Sequence, residues 1–121
     1  MTAKEIIQNF YASLEQKDGQ WQQHLAPGVV FSDASRRLHA EGKEGFIQSF
    51  TPFLRAVEHV RLKQLIVEEP DAAAVVSYDY ISPKGEKLHQ DDAEVWKVVN
   101  GEIVALTIYF DITEFRAFMG R

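Results

Sequence analysis

Two acids and a pair of tyrosines carry the chemistry that this sequence offers. Asp33 closes the apolar run Val29-Val-Phe-Ser, and Glu94 lies in Asp92-Ala-Glu-Val-Trp-Lys-Val-Val, a β-rich run whose alternate side chains face one way. Glu94 therefore shares a face with Asp92, Trp96 and Val98. By the same alternation Val76, Tyr78 and Tyr80 share one face while Ser77 and Asp79 share the other, so the tyrosines are expected to point inward. Carboxyls and phenols that converge on an apolar interior suit proton transfer. Burial raises a carboxyl pKa toward neutrality, and a phenol or a protonated acid can donate to a developing enolate. The expected catalytic groups are Asp33, Glu94 and Tyr78.

Each of these residues also has a plain structural reading. Asp33 precedes Ala34-Ser-Arg-Arg, which fits a solvated turn carboxylate as well as a buried base. Glu94 fits a wet strand end, or, if it is inside, an acid that is protonated or paired with a tyrosine or histidine. The tyrosines fit amphipathic core residues whose hydroxyls reach backbone or water. Asp111 opens Asp-Ile-Thr-Glu114, a capping-box pattern that accounts for an acid there without any catalytic role.

Several other chemistries lack their residues. His24, His39, His59 and His89 are dispersed with no ligand-pair spacing, so no metal is expected, although His24 beside Trp21 is placed for proton shuttling. No glycine-rich phosphate loop or Gly-x-Ser-x-Gly elbow occurs, and the chain has no cysteine, so the reading is cofactor-independent. The net charge is −5 with Lys and Arg scattered, which argues against a nucleic-acid partner. Residues 1–17 hold no long apolar run, so neither a signal peptide nor a membrane span is expected; a cytoplasmic protein is the consequence.

The elements that position these residues are written in period and punctuation. Thr2-Ala-Lys-Glu5 is a capping box, and Ile6, Ile7, Phe10, Tyr11 and Leu14 form a one-face helical stripe that ends at Asp18-Gly19. Trp21 and Leu25 predict a short second helix, closed by Pro27-Gly28. Val29–Asp33 and Leu38–Ala40 read as a small hairpin. A further helix carries Phe46, Ile47, Phe50, Phe53, Leu54 and Val57, with a kink or restart expected at Thr51-Pro52. Residues 59–68, 72–82, 87–99 and 102–112 read as a four-stranded antiparallel meander, its last turn marked by Asn100-Gly101. A short helix with Phe115, Phe118 and Met119 follows. At 121 residues this is one domain, 1–121. Its class is α+β, a cone-shaped curved antiparallel or mixed sheet with the N-terminal helices packed over the concave face. A small domain that fills such a cone incompletely leaves an apolar pocket. The outer face, with Ala105, Thr107 and Tyr109, is apolar enough to suggest a homodimer.

The order of elements resembles the nuclear transport factor 2-like (cystatin-like) superfamily, in particular its SnoaL-like and ketosteroid isomerase-like branch. The carriers are Phe10-Tyr-Ala-Ser-Leu14 with Asp18, Leu25-Ala-Pro-Gly-Val-Val-Phe-Ser-Asp33, Gly42-Lys-Glu-Gly-Phe-Ile47, Val99-Asn-Gly-Glu-Ile103 and Tyr109-Phe-Asp111. Together they cover nearly the whole chain and imply the fold. The resemblance also implies an isomerase or polyketide cyclase acting on a small apolar carbonyl compound, with Asp33 at the catalytic-base position and Glu94 at that of the hydrogen-bond-donating acid. The oxyanion-hole tyrosine position is Phe10, with Tyr11 about 100° further round the helix. Limonene epoxide hydrolases need an acid where Ile108 stands, and an Arg and an Asp near Tyr78 and Tyr80. Their triad is absent. SnoaL-type cyclases place an acid nearest to Asp111. The ligand lining expected around the site is Phe10, Tyr11, Trp21, Phe31, Phe50, Tyr80, Trp96 and Ile108, taking a small apolar ligand. A non-catalytic ligand-binding or dimerisation module of the same fold is the alternative.

Overall fold

The computed structural model describes residues 1–120. Helix α1 spans Ala3–Gln16, and its start is the capping box: the Thr2 amide donates to Glu5 Oε1 at 3.0 Å, and the Glu5 amide donates to Thr2 Oγ1 at 3.2 Å. These bonds satisfy donors that have no partner inside the helix. Its apolar stripe, Ile6, Ile7, Phe10, Tyr11 and Leu14, is buried throughout. The predicted second helix is a single 3-10 turn, Gln20–Gln22. Leu25 belongs instead to strand β1, Leu25–Asp33, where it pairs with Ile103. Pro27-Gly28 falls inside that strand because the register breaks between Leu25 and Val30, the kind of place where a missing amide is tolerated.

Strand β2, His39–Glu41, pairs with β1 and leads into helix α2, Lys43–Ala56. Pro52 lies within α2, and the helix continues through it. Proline removes one amide donor; the Thr51 hydroxyl bonds the Ile47 carbonyl at 2.6 Å, and the buried Phe46, Phe50 and Phe53 hold both halves on one core face. The expected restart at Thr51-Pro52 does not occur.

Strands β3, Val57–Glu68; β4, Asp71–Ile81; β5, Lys87–Val99; and β6, Glu102–Tyr109, form the antiparallel meander. Strand β1 adds to β6 in parallel, giving one six-stranded mixed sheet in the order β2-β1-β6-β5-β4-β3. The β5–β6 turn has positive φ at both Asn100 (51°) and Gly101 (77°), the backbone that a two-residue hairpin loop requires. Helix α3, Ile112–Met119, is capped by Asp111, whose carboxylate accepts from the Glu114 amide at 2.9 Å. The fold is α+β, and no helix is long and apolar enough to cross a membrane among the described residues. The core lies between the helices and the inner sheet face, where Phe31, Val76, Tyr78, Tyr80, Glu94, Trp96, Leu106 and Ile108 are all buried.

Candidate functional site: a buried pair of carboxyls

Alternation along β5 turns Gln90, Asp92, Glu94, Trp96 and Val98 inward, and all five are buried. Glu94 is 1% exposed, and its carboxyl is gripped from two elements. The Tyr78 hydroxyl on β4 donates to Oε2 at 2.8 Å, and the Tyr11 hydroxyl on α1 donates to Oε1. The Trp96 indole N–H in turn donates to the Tyr11 oxygen at 3.0 Å, so three side chains from three elements order one carboxyl. The turn of the helix that separates Tyr11 from Phe10 does not remove it from the interior. Both residues face the core, Phe10 against Trp96 at a 4.7 Å ring separation and Tyr11 against Glu94.

Asp92, two residues earlier on the same face, is 3% exposed, and its Oδ1 has no hydrogen-bond partner. Burial and the neighbouring Glu94 and Asp91 push its pKa up to about 8. Burial also raises Glu94, to about 7, while the phenols of Tyr11 and Tyr78 favour its charged form and pull the other way. Both carboxyls are thus pushed toward neutrality, and each disfavours the charge of the other. The pKa values of Tyr11, Tyr78 and Tyr80 are raised well above the usual phenol value, by burial first and then by the negative charge of the acids, so these hydroxyls remain donors.

Both acids, with Tyr78, Tyr80, Ile108, Val57 and the α2 residues Phe50, Phe53 and Leu54, line a cavity of about 10 Å³. That is space for about one water molecule. The apolar pocket expected inside the cone is therefore closed. Phe10, Trp21, Phe31, Phe46 and Phe50 pack ring on ring, with Trp96 against Phe10, and the aromatic content fills the interior. Of the expected ligand-lining residues, Phe50, Tyr80 and Ile108 reach this cavity; Phe10 and Trp21 line a separate one of about 260 Å³, and Tyr11, Phe31 and Trp96 are core side chains.

Asp33 is buried, yet it is occupied in its own turn. Its Oδ1 accepts from the Leu38 amide at 2.8 Å, and its Oδ2 accepts from the Ser35 amide at 3.0 Å and the Ser35 hydroxyl at 2.5 Å. Burial alone would raise its pKa, but these donors outweigh it and hold the carboxyl below the ordinary aspartate value. The rise expected for a buried Asp33 is thus reversed. Asp33 and Glu94 flank Ile108 across the sheet, one from β1 and one from β5, and Asp33 does not line the cavity. Asp111 is a helix cap. His24 lines a different cavity, of about 260 Å³, with Asp18 and Trp21 on the far side of Phe10. Among the described residues no three His, Asp or Glu side chains are grouped to hold a metal ion. Asp92 is the residue that the sequence reading left without a role. Its signal was the run Gln90-x-Asp-x-Glu-x-Trp96, four polar or aromatic residues on one buried face.

The profile of the SnoaL-like domain matches residues 7–106. The chain belongs to the SnoaL-like domain family. Comparison with curated proteins gives no match. Among solved structures, this SnoaL-like chain is similar to an NTF2-like protein of unknown function from Burkholderia pseudomallei K96243, with a TM-score of 0.82 at 16% identity, covering 98% of this chain and 97% of that one. It is also similar to a candidate SnoaL-like polyketide cyclase from Jannaschia sp. CCS1, with a TM-score of 0.80 at 13% identity, covering 95% and 89%. A third is TerC co-crystallised with polyporic acid, with a TM-score of 0.79 at 17% identity and 97% of each chain covered. At these identities the likeness is one of fold, and the SnoaL-like chain's own residues must carry any argument about chemistry.

Proposed function

We propose that this SnoaL-like protein is a cofactor-independent acid–base catalyst, an isomerase or cyclase that acts on a small, mostly apolar carbonyl compound. One observation carries the reading: a buried carboxyl with a pKa near 7 is fixed by two phenols in an apolar cavity. A general base works best with a pKa near the working pH, and Glu94 has that property whereas Asp33 is held anionic in a turn. Glu94 removes the proton beside the substrate carbonyl. As it becomes neutral its hold on the phenols weakens, and the Tyr78 hydroxyl is released to donate to the enolate oxygen. The proton then returns from Glu94 to a different carbon, or the enolate carbon attacks a second carbonyl, whose oxygen takes the proton back from Glu94 as its π bond breaks. The similarity to a candidate polyketide cyclase and to TerC, which was crystallised with the small molecule polyporic acid, supports a small-molecule role.

Deuterium wash-in tests this with simple ketones, whatever the natural substrate is. Small ketones incubated with the protein in heavy water are expected to exchange their α-hydrogens faster than in buffer, and Glu94→Gln is expected to abolish the excess. Exchange that is equal in wild type and E94Q, both folded, would refute it.

The nearly full interior favours a second reading, a dimerisation module. On the outer sheet face Ile66, Ala73, Val95 and Thr107 lie in one row across β3 to β6, with Gln64, Val75, Ala93 and Tyr109 in the next. Ile66 is 59% exposed, Tyr109 51% and Val95 41%. An apolar face of this kind is offered to a second copy of the chain.

A further inference from the structure

The cavity beside α2 presents acid without base. Its two carboxyls, from Asp92 and Glu94, share the face of one strand with no cation between them, and no lining residue is a lysine, arginine or histidine. Glu94 is satisfied by Tyr11 and Tyr78. Asp92 is not: it is almost wholly buried, and its Oδ1 has no partner within the protein. A buried acceptor left open costs free energy, and a donor brought by a ligand would recover it. The rest of the wall is apolar, part aliphatic with Leu54, Val57 and Ile108 and part aromatic with Phe50, Phe53 and the rings of Tyr78 and Tyr80, which stack 5.7 Å apart. Aromatic faces attract a cation electrostatically, and the free volume, about that of one water, matches an ammonium head.

We infer that this cavity receives the protonated amino group of a ligand, which donates to Asp92 and is enclosed by the aromatic wall. The ligand is then a small apolar amine, and for a catalyst of the kind proposed above, an amino-carbonyl compound. The inference rests on that reading only in placing the ligand here. The cavity has room for the ammonium head alone, so the apolar body must displace the buried Phe53 and the half-buried Leu54 on α2 to follow it.

Binding of this kind is linked to protons. The ionisable groups that face Asp92 are Glu94 on β5, Tyr78 and Tyr80 on β4, and Tyr11 on α1, with the charge of Asp91 acting from the outer face of β5; α2, β6 and α3 present Phe50, Phe53, Ile108 and Phe115 to the same region. An entering ammonium favours the charged carboxylate. Protons are therefore released on binding below the raised carboxyl pKa values, and affinity climbs as pH rises through that range.

Propylamine, n-propanol and acetone are matched in heavy-atom number; the first is a cation, the second a neutral donor and the third a neutral acceptor. Each is titrated into the protein by calorimetry, in two buffers of different ionisation enthalpy, and by following the Trp96 indole N–H signal, which reports on Glu94 through Tyr11. Propylammonium is expected to bind at least about tenfold more tightly than n-propanol. It is expected to release protons at neutral pH and to strengthen between about pH 6 and pH 8. Asp92→Asn is expected to erase the amine preference, bringing the affinity ratio of amine to alcohol down to about one. Because the wild-type pH dependence and proton release are independent of any variant, a poorly folded D92N leaves the inference open to refutation. Equal binding of amine and alcohol, or no proton release, overturns it. Acetone bound at the Trp96 signal without propylammonium would overturn this inference and leave the acid–base site standing; binding of neither overturns both.

Discussion

Asp92 makes a demand on stability that depends on pH in a calculable way. In the unfolded chain it titrates near 3.9, and in the folded protein near 8. Between those values the native state binds more protons than the unfolded state, so the stability of the wild type falls as pH rises and levels off above about 8. A rise of that size corresponds to about 6 kcal/mol as an upper bound, of which water entering at the carboxylate leaves at least about 2 kcal/mol. Asp92→Asn keeps the shape and removes the titration. Its amide brings its own cost, the same at every pH, so the informative quantity is the change in the wild-type-to-mutant difference between about pH 5 and pH 9. Urea melts by fluorescence at both pH values give it directly. D92N should gain at least about 2 kcal/mol relative to wild type on going to high pH. Stability profiles that run parallel in the two proteins would show that Asp92 is solvated when charged, and would remove the basis for an acid-lined dry cavity.

Three further outcomes follow from the same contacts. Tyr78→Phe removes a donor that favours charged Glu94, so the carboxyl pKa should rise further and the fold lose about 1–2 kcal/mol, read by carbon-detected NMR titration and melts. Asp33→Asn should cost about 1–3 kcal/mol at neutral pH, because three donors lose their anionic acceptor. Since the folded pKa of Asp33 is depressed, its contribution is present above about 3.9 and lost as pH falls through the folded value, and D33N should lack that acid limb in its stability profile. Val95→Lys with Tyr109→Lys places charge on the outer sheet face, and sedimentation should show a dimeric wild type and a monomeric variant; a monomeric wild type at micromolar concentration would sink the dimer.

The features legible in the chain alone are local or periodic. Thr2 with Glu5 starts a helix, Asn100-Gly101 closes a hairpin, and the period of two along β5 decides that Glu94 and Trp96 are inside. These follow from bonds and steric limits spanning a few residues, which any fold must respect. Where local signals competed with long-range pairing, the pairing won: Leu25–Gly28 joined β1 because β6 offered partners, and α2 passed through Pro52 because its phenylalanines share one buried face. Of the site, the alternation places Glu94 and Tyr78 inside, and the way its parts meet belongs to tertiary structure. Tyr11 meets Glu94 across 83 positions of chain, and only packing α1 against the sheet makes that hydrogen bond. Asp33 and Asp92 are both aspartates on inward strand faces, yet one is lowered by three donors in its turn and the other raised by burial without a partner. Sequence pattern says which way a side chain points. What waits at the end of it, a donor, a ring or an empty space of one water, is decided by the elements that fold over it.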